Sequence, residues 1–156
     1  MKILVFSDSH GDTSAMERMT ELERPAQVLF LGDGLSDART LAQTFPQVPV
    51  CCVAGNCDPG GSGVPTERTV ILGGHTLFMT HGHRYQVKRD ILAATYAARE
   101  AGAEVLLYGH THEAFCRREN GLWILNPGSV RELFRPSYGV ILIGENGLEC
   151  AVSPVS

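Results

Sequence analysis

The sequence predicts an α/β protein, with a mixed β-sheet, partly parallel and partly antiparallel, flanked by a few helices. Three observations predict it. Short apolar runs of strand length recur along the chain, and each ends in a polar cluster. A segment of helical periodicity separates the first two runs, which makes a strand–helix–strand unit and hence a parallel pair with a helix packed on it. Gly-Gly and Asn-Gly dipeptides divide the second half of the chain into hairpins. The strand candidates number about ten, more than one comfortable open sheet holds, so two packed sheets are admitted.

Taken in order, Ile3–Phe6 is continuous and apolar, the pattern of a strand buried on both faces. Ala15, Met16, Met19 and Leu22 recur at helical spacing, and Pro25 closes that segment. Val28–Leu31 and Val48–Ala54 are the next buried-strand runs, with a short helix expected over Asp37–Phe45. Residues 55–66 carry four glycines and two prolines and read as a surface loop. Glu67–Leu72 and His75–Thr80 flank Gly73-Gly74, a two-residue hairpin signal. Val87–Ala101 is the clearest helical segment. Ile91, Leu92, Thr95 and Ala98 share one face of it, and Gly102 ends it. Val105–Tyr108 is another buried strand. Hairpins follow around Asn120-Gly121, between Ala114–Glu119 and Leu122–Leu125, and around Asn146-Gly147, between Val140–Ile143 and Leu148–Val152.

Composition bounds the function. A chain of 156 residues is one ordinary domain, 1–156, long enough to bury a sound core. Hydrophobic residues at 44% and charged residues at 19% fit a soluble globular protein and exclude a disordered one. The net charge of -4 and the pI near 5.8 argue against a nucleic-acid binder with a broad basic face. They leave an anionic substrate open, because bound metal ions would dominate the local field. The five cysteines (Cys51, Cys52, Cys57, Cys116 and Cys150) show no C-x-x-C spacing. Cys51 and Cys52 read as buried small hydrophobes, and free thiols fit a reducing cytosol. The N-terminal apolar run stops at Phe6, too short for a signal peptide or a membrane span. A cytoplasmic protein is therefore expected, without a membrane partner. Apolar edge strands near the C-terminus permit a homodimer.

The chemistry lies in the polar residues at the end of each apolar run. Ser7-Asp8-Ser9-His10 succeeds the first, Gly32-Asp33 the second and Gly55-Asn56-Cys57-Asp58 the third. Thr80-His81-Gly82-His83 and Gly109-His110-Thr111-His112 succeed two later ones. Each cluster sits at the C-terminal end of a strand candidate, the edge at which loops of open α/β sheets converge on ligands. A lone Asp-x-His is an ordinary turn or helix cap, and a lone Gly-Asp or Gly-Asn is a turn signal. The histidine placement carries more weight, since five of the six (His10, His81, His83, His110 and His112) fall in these clusters. Oxygen and imidazole donors without thiolates suit Mn, Fe, Zn, Co or Ni better than Ca or Mg. Asp8, His10, Asp33, Asn56, His81, His110 and His112 are too many ligands for one ion. They suit two ions sharing a carboxylate, which hold both ends of a phosphoryl displacement and make a nucleophile of a bridging water.

The ordered set Asp8-x-His10, Gly32-Asp33, Gly55-Asn56-x-Asp58, His81-Gly82-His83 and Gly109-His110-Thr111-His112 resembles the calcineurin-like metallophosphoesterase superfamily. The small size, together with Gly55-Asn56-Cys57-Asp58, Thr80-His81-Gly82-His83 and Asn126-Pro127-Gly128-Ser129, is similar to its small YfcE-like phosphodiesterase branch. The resemblance implies two packed mixed sheets with helices outside. It implies that Asp8, His10 and His112 hold a first divalent ion, that Asn56, His81 and His110 hold a second, and that Asp33 bridges them. It implies Mn as the usual cofactor, with Ni, Co or Zn as substitutes, and a small phosphodiester as substrate in preference to a monoester.

One departure matters. Many superfamily members carry Gly-Asn-His-Asp, whose His helps to protonate the leaving group, whereas this chain has Cys57. A thiol of ordinary pKa ~8.5 is poorly matched to that task at neutral pH. Water, His83 or Cys57 are the candidates for the proton, and a supporting loop role competes for His83. Asp58 is expected to orient its loop or a ligand His. Arg84, Lys88, Arg131 and Arg135 are candidates for phosphate contact, with solvated surface charge as the plainer reading of each. Asn126–Ser129 is expected to form a turn near the His110 loop, with no catalytic role. A catalytically weak scaffold of the same fold, acting through protein partners, is the competing function, and a nuclease is disfavoured by the lack of a basic channel.

Overall fold

The alternation of apolar runs with helical segments produces four layers, in which two face-packed sheets lie between outer helices. The computed structural model describes residues 1–156. Strands β1 (Lys2–Phe6), β2 (Gln27–Phe30) and β3 (Val50–Cys52) run parallel, with α1 (Ser14–Glu23) and α2 (Leu35–Thr44) as their crossovers. Next come β4 (Glu67–Leu72), β5 (His75–Thr80), α3 (Leu92–Glu100), β6 (Val105–Leu107), β7 (Phe115–Glu119) and β8 (Leu122–Asn126). The chain ends with β9 (Ser137–Gly144) and β10 (Gly147–Pro154). The first sheet has the order β10-β9-β1-β2-β3 and the second β4-β5-β6-β8-β7. In the first sheet the parallel set runs out to the β3 edge and the antiparallel pair β9-β10 closes the other side, whereas in the second the parallel strands β5, β6 and β8 lie between antiparallel edge partners β4 and β7. The two mixed sheets and flanking helices are those the sequence implies.

Alternation along each central strand explains why its run is continuous and apolar. Ile3 and Val5 of β1 face the second sheet, in a core shared with Leu29, Leu31, Leu77, Met79, Val105 and Leu107. Leu4 and Phe6 face the other way, onto Met16, Met19, Ala38 and Leu41 of the first two helices. Phe78 and Leu106 face the third helix, against Ala94 and Ala98. Burial on both faces leaves no position for a polar side chain until the strand ends. The Gly73-Gly74 and Asn120-Gly121 turns have positive φ at both residues, the conformation that a two-residue hairpin requires.

Several expectations are corrected. The third helix starts at Leu92 and not at Val87. Gln86 is left-handed (φ 52°), which interrupts the helical run, and just before the N-cap Ile91 the Asp90 carboxylate accepts the Leu92 N–H at 3.0 Å. Its buried face carries Ala94 and Ala98, whereas Leu92 is exposed, because small residues let the helix lie close on the sheet. Leu22 on α1 is likewise exposed. The last hairpin turns at Glu145-Asn146, and Gly147 already pairs with Gly144.

Candidate metal centre

The polar clusters stand at the C-terminal ends of β1, β2, β3, β5 and β6, and backbone hydrogen bonds tie them together. Asp8 N–H donates to Gly32 O (3.0 Å), His10 N–H to Asp33 O (3.1 Å) and Gly109 N–H to His81 O (3.0 Å). Five of the eight non-glycine residues with positive φ are candidate ligands, namely Asp8 (58°), His10 (44°), Asp33 (60°), His110 (71°) and His112 (61°). Each such backbone costs on the order of 1–3 kcal/mol and persists only where its surroundings over-determine it. Glycine supplies the room. A Cβ on Gly55 would run into Asp33, and one on Gly109 into the Ser7 hydroxyl.

The donor atoms gather in two groups. In the first, His112 Nε2 lies 3.2 Å and His10 Nε2 3.6 Å from Asp8 Oδ1. In the second, His81 Nε2 lies 3.3 Å from Asp33 Oδ2 and 3.0 Å from Asn56 Oδ1, and the His110 ring centroid is 5.0 Å from that of His81. Asp33 Oδ2 also lies 3.9 Å from His10 Nε2, so it stands between the groups. Ligands about 2.1 Å from one ion lie about 3.0 Å apart when cis and about 4.2 Å when trans, a range that contains these separations. Asp8 Oδ1 and His10 Nε2 are buried and have no hydrogen-bond partner. An orphaned carboxylate oxygen beside an orphaned imidazole nitrogen is costly in a plain core and is what a cation would satisfy.

The surroundings aim these atoms. Asp8 Oδ2 is taken by the Ser7 hydroxyl and by the His110 N–H (3.2 Å), which leaves Oδ1 for the centre. Asp33 Oδ1 accepts the Cys57 N–H at 2.8 Å, which leaves Oδ2. His81 Nδ1 lies 2.7 Å from Leu31 O, so the proton belongs on Nδ1 and the Nε2 lone pair faces the centre. Asp58 spans two loops. Its Oδ2 accepts from Asp33 N–H (2.8 Å) and Gly55 N–H (2.7 Å), and its Oδ1 from Gly34 N–H (2.9 Å) and Leu35 N–H (3.0 Å).

Charge and burial compete here. Burial pushes the Asp33 carboxyl up, but His81 and the Cys57 N–H outweigh it and hold the group well below the carboxylate range. Burial pushes His81 down, yet Asp33, Asp8 and the Leu31 carbonyl raise it overall. His83 and His110 are both lowered, first by burial and then by the His81 charge.

The remaining expected residues take varied places. Cys57 is exposed and its sulfur stands with His10 and Asp33. Its thiol is raised by burial and then by Asp33, so it stays protonated. His83 opens a short 3-10 turn (His83–Tyr85), with its ring 5.4 Å from His81 and its Nδ1 buried without a partner. Arg131 donates through Nη1 to His10 O at 2.6 Å and so braces the loop. Arg84 lines a groove with Tyr85 and Tyr96, Lys88 lies close enough to lower His110, and Arg135 is exposed without a polar contact.

Sequence reasoning missed part of the support. Asn126 Nδ2 donates to Gly109 O (3.2 Å) and Thr111 Oγ1 (2.9 Å), and the Ser129 hydroxyl donates to Asp8 O (2.8 Å). The Ser9 hydroxyl and Gly11 N–H share Asp37 Oδ2, at 2.6 and 2.8 Å. Asn126 and Ser129 do carry the same signal as the ligands, a polar cluster directly after an apolar strand.

A two-layered mixed sheet with oxygen and imidazole donors gathered at its strand ends defines a metallophosphoesterase type of fold and site. Residues 1–146 match the calcineurin-like phosphoesterase superfamily domain, and the chain belongs to that family. Probable metallophosphoesterase YsnB of Bacillus subtilis is 32% identical over 131 residues, 84% of this chain and 76% of that protein. Phosphodiesterase YfcE of Escherichia coli K12 is 31% identical over 153 residues, covering 83% and 79%. A predicted phosphoesterase from Streptococcus pneumoniae TIGR4 superposes with a TM-score of 0.81 at 28% identity, covering 98% of this chain and 88% of that one. The fold is shared with Vps29 of Entamoeba histolytica, crystallised with zinc, at a TM-score of 0.77 and 21% identity over 100% of both chains.

Proposed function

We propose that this chain, as a single domain, is a binuclear metal-dependent phosphodiesterase that hydrolyses small phosphodiesters. One observation carries the reading. Asp33 Oδ2 approaches His10 of the first donor group at 3.9 Å and His81 of the second at 3.3 Å, and the first group contains a buried carboxylate oxygen and imidazole nitrogen with no partner of their own. Asp8, His10 and His112 would hold one divalent ion, Asn56, His81 and His110 the other, and Asp33 both. The donor set suits Mn, and equally Ni, Co, Zn or Fe. Such ions supply Lewis acidity, which lowers the pKa of a water and offsets charge on the phosphoryl oxygens.

The chain's own residues prepare the site. Ser7 and the His110 N–H fix Asp8, Leu31 O fixes the His81 tautomer, and the Cys57 N–H fixes Asp33. His83 Nδ1 is free to hold a proton near the second group, and the protonated Cys57 thiol stands near the first. Either would serve the leaving alkoxide, His83 being nearer the useful pKa range. Five cysteines without a disulfide fit a cytoplasmic protein. No helix is long and apolar enough to cross a membrane.

The second reading is a catalytically weak scaffold acting through protein partners. The likeness to Vps29 and the exposure of Leu133 and Phe134 (89% and 90%) favour it. One assay separates the two. Protein stripped by chelator is reloaded with Mn, Ni, Co, Zn or Mg and given bis-p-nitrophenyl phosphate and p-nitrophenyl phosphate. Diester cleavage restored only by transition metals, and faster than monoester cleavage, is expected. Two bound ions without turnover would favour the scaffold. His83→Ala should slow diesters of poorly activated alcohols roughly a hundredfold and nitrophenyl diesters far less. An equal loss on both would remove His83 from proton transfer.

A further inference from the structure

A cavity of about 270 Å³ opens directly beside the first donor group, and His10, Asp33 and Cys57 form one wall of it. The first turns of α2 and the 55–66 loop also line it, with Ser36, Arg39 and Ser62. Apart from His10, Arg39 is the basic residue lining this cavity. Its guanidinium makes no ion pair and no hydrogen bond, and the Ser36 hydroxyl is unbonded too.

The two further carboxylates lining the cavity, Asp37 and Asp58, bond to other donors and neither pairs with Arg39. Asp58 accepts four backbone N–H groups, and Asp37 accepts from Ser9 and Gly11. A planar, exposed guanidinium with free donors, lining the same cavity as His10 and Asp33, matches an oxyanion, phosphate best of all, through paired hydrogen bonds.

We propose that this cavity is a specificity subsite, in which Arg39 binds a second phosphate carried by the substrate away from the scissile ester. The inference rests on the phosphodiesterase reading and narrows its substrate to diesters bearing such a group. Arg39 is a specificity-determining residue in this scheme and takes no part in bond breaking.

Two probes differ only in that group, thymidine 5′-(4-nitrophenyl phosphate) with and without a 3′-phosphate. The Mn-loaded wild type should show a KM roughly ten- to a hundredfold lower for the 3′-phosphorylated ester, the range expected of charge-assisted hydrogen bonds. In Arg39→Ala the ratio of the two KM values should collapse towards one, and Arg39→Lys should restore part of it. Calorimetry of thymidine 3′,5′-bisphosphate against thymidine 5′-phosphate, on the same loaded proteins, reads the subsite without turnover. An equal affinity for both in the wild type, or a preference that survives in Arg39→Ala, overturns the subsite. A calorimetric preference lost in Arg39→Ala, with no hydrolysis of either ester, upholds the subsite and overturns the phosphodiesterase reading instead.

Discussion

Asp33 and His81 share a contact at 3.3 Å, and each holds the other in its charged form while no metal is present. The consequence for stability has a definite sign. Asp33 is depressed, so its contribution is present above its unfolded value and lost only as pH falls through the folded one. His81 is raised, so its contribution is complete below its ordinary value of 6.5 and is lost as pH rises past that value. His83 and His110 are lowered and act oppositely, costing stability as pH falls below 6.5. Melting temperature of chelator-treated protein should therefore peak near pH 6.5, and Mn should remove the alkaline decline because a ligating His81 is neutral. A metal-free curve that climbs steadily from pH 6 to 8 would contradict this charge arrangement. The gathering of these side chains was legible in the sequence, because each comes directly after an apolar run. Their supporting contacts were not, because Ser129 and Asp8 stand 121 residues apart and Ser9 and Asp37 stand 28 apart. Nothing local in a sequence announces such pairs.

Among the elements, the loops after β2 and β3 depend on Asp58, whose carboxylate holds four backbone N–H groups. Asp58→Ala leaves these donors without their partner and should cost on the order of 2 kcal/mol or more, a fall in melting temperature of roughly 5 °C. Metal affinity should fall about ten- to a hundredfold, since Asp33 and Asn56 lose their support. Unchanged melting and unchanged affinity would show that the loops hold without it. Strand existence was readable, since Ile3–Phe6, Val28–Phe30, Leu77–Met79 and Val105–Leu107 are apolar on both faces. The start of α3 was not, because a left-handed Gln86 and the Asp90 carboxylate on the Leu92 N–H override a helical pattern that runs back to Val87. On the buried face of that helix Ala98 agrees with the sequence pattern and Leu92 does not. Close packing selects Ala94 and Ala98 there, and hydrophobicity alone favoured Leu92.

Across the whole molecule, the two sheets contribute unequal parts of one centre. Loops of the first sheet carry Asp8, His10, Asp33 and Asn56, and loops of the second carry His81, His110 and His112. The donors thus straddle the seam between sheets, and bound ions would tie the halves of the sandwich together. The seam rests on an apolar core shared by both sheets. The most direct test of the binuclear centre is a metal count on Mn-loaded protein after gel filtration, for the wild type and Asp33→Ala. Two ions per wild-type chain, falling below two with loss of diester hydrolysis in Asp33→Ala, is the predicted result. One ion or none in the wild type, or two ions and full activity in Asp33→Ala, would contradict it.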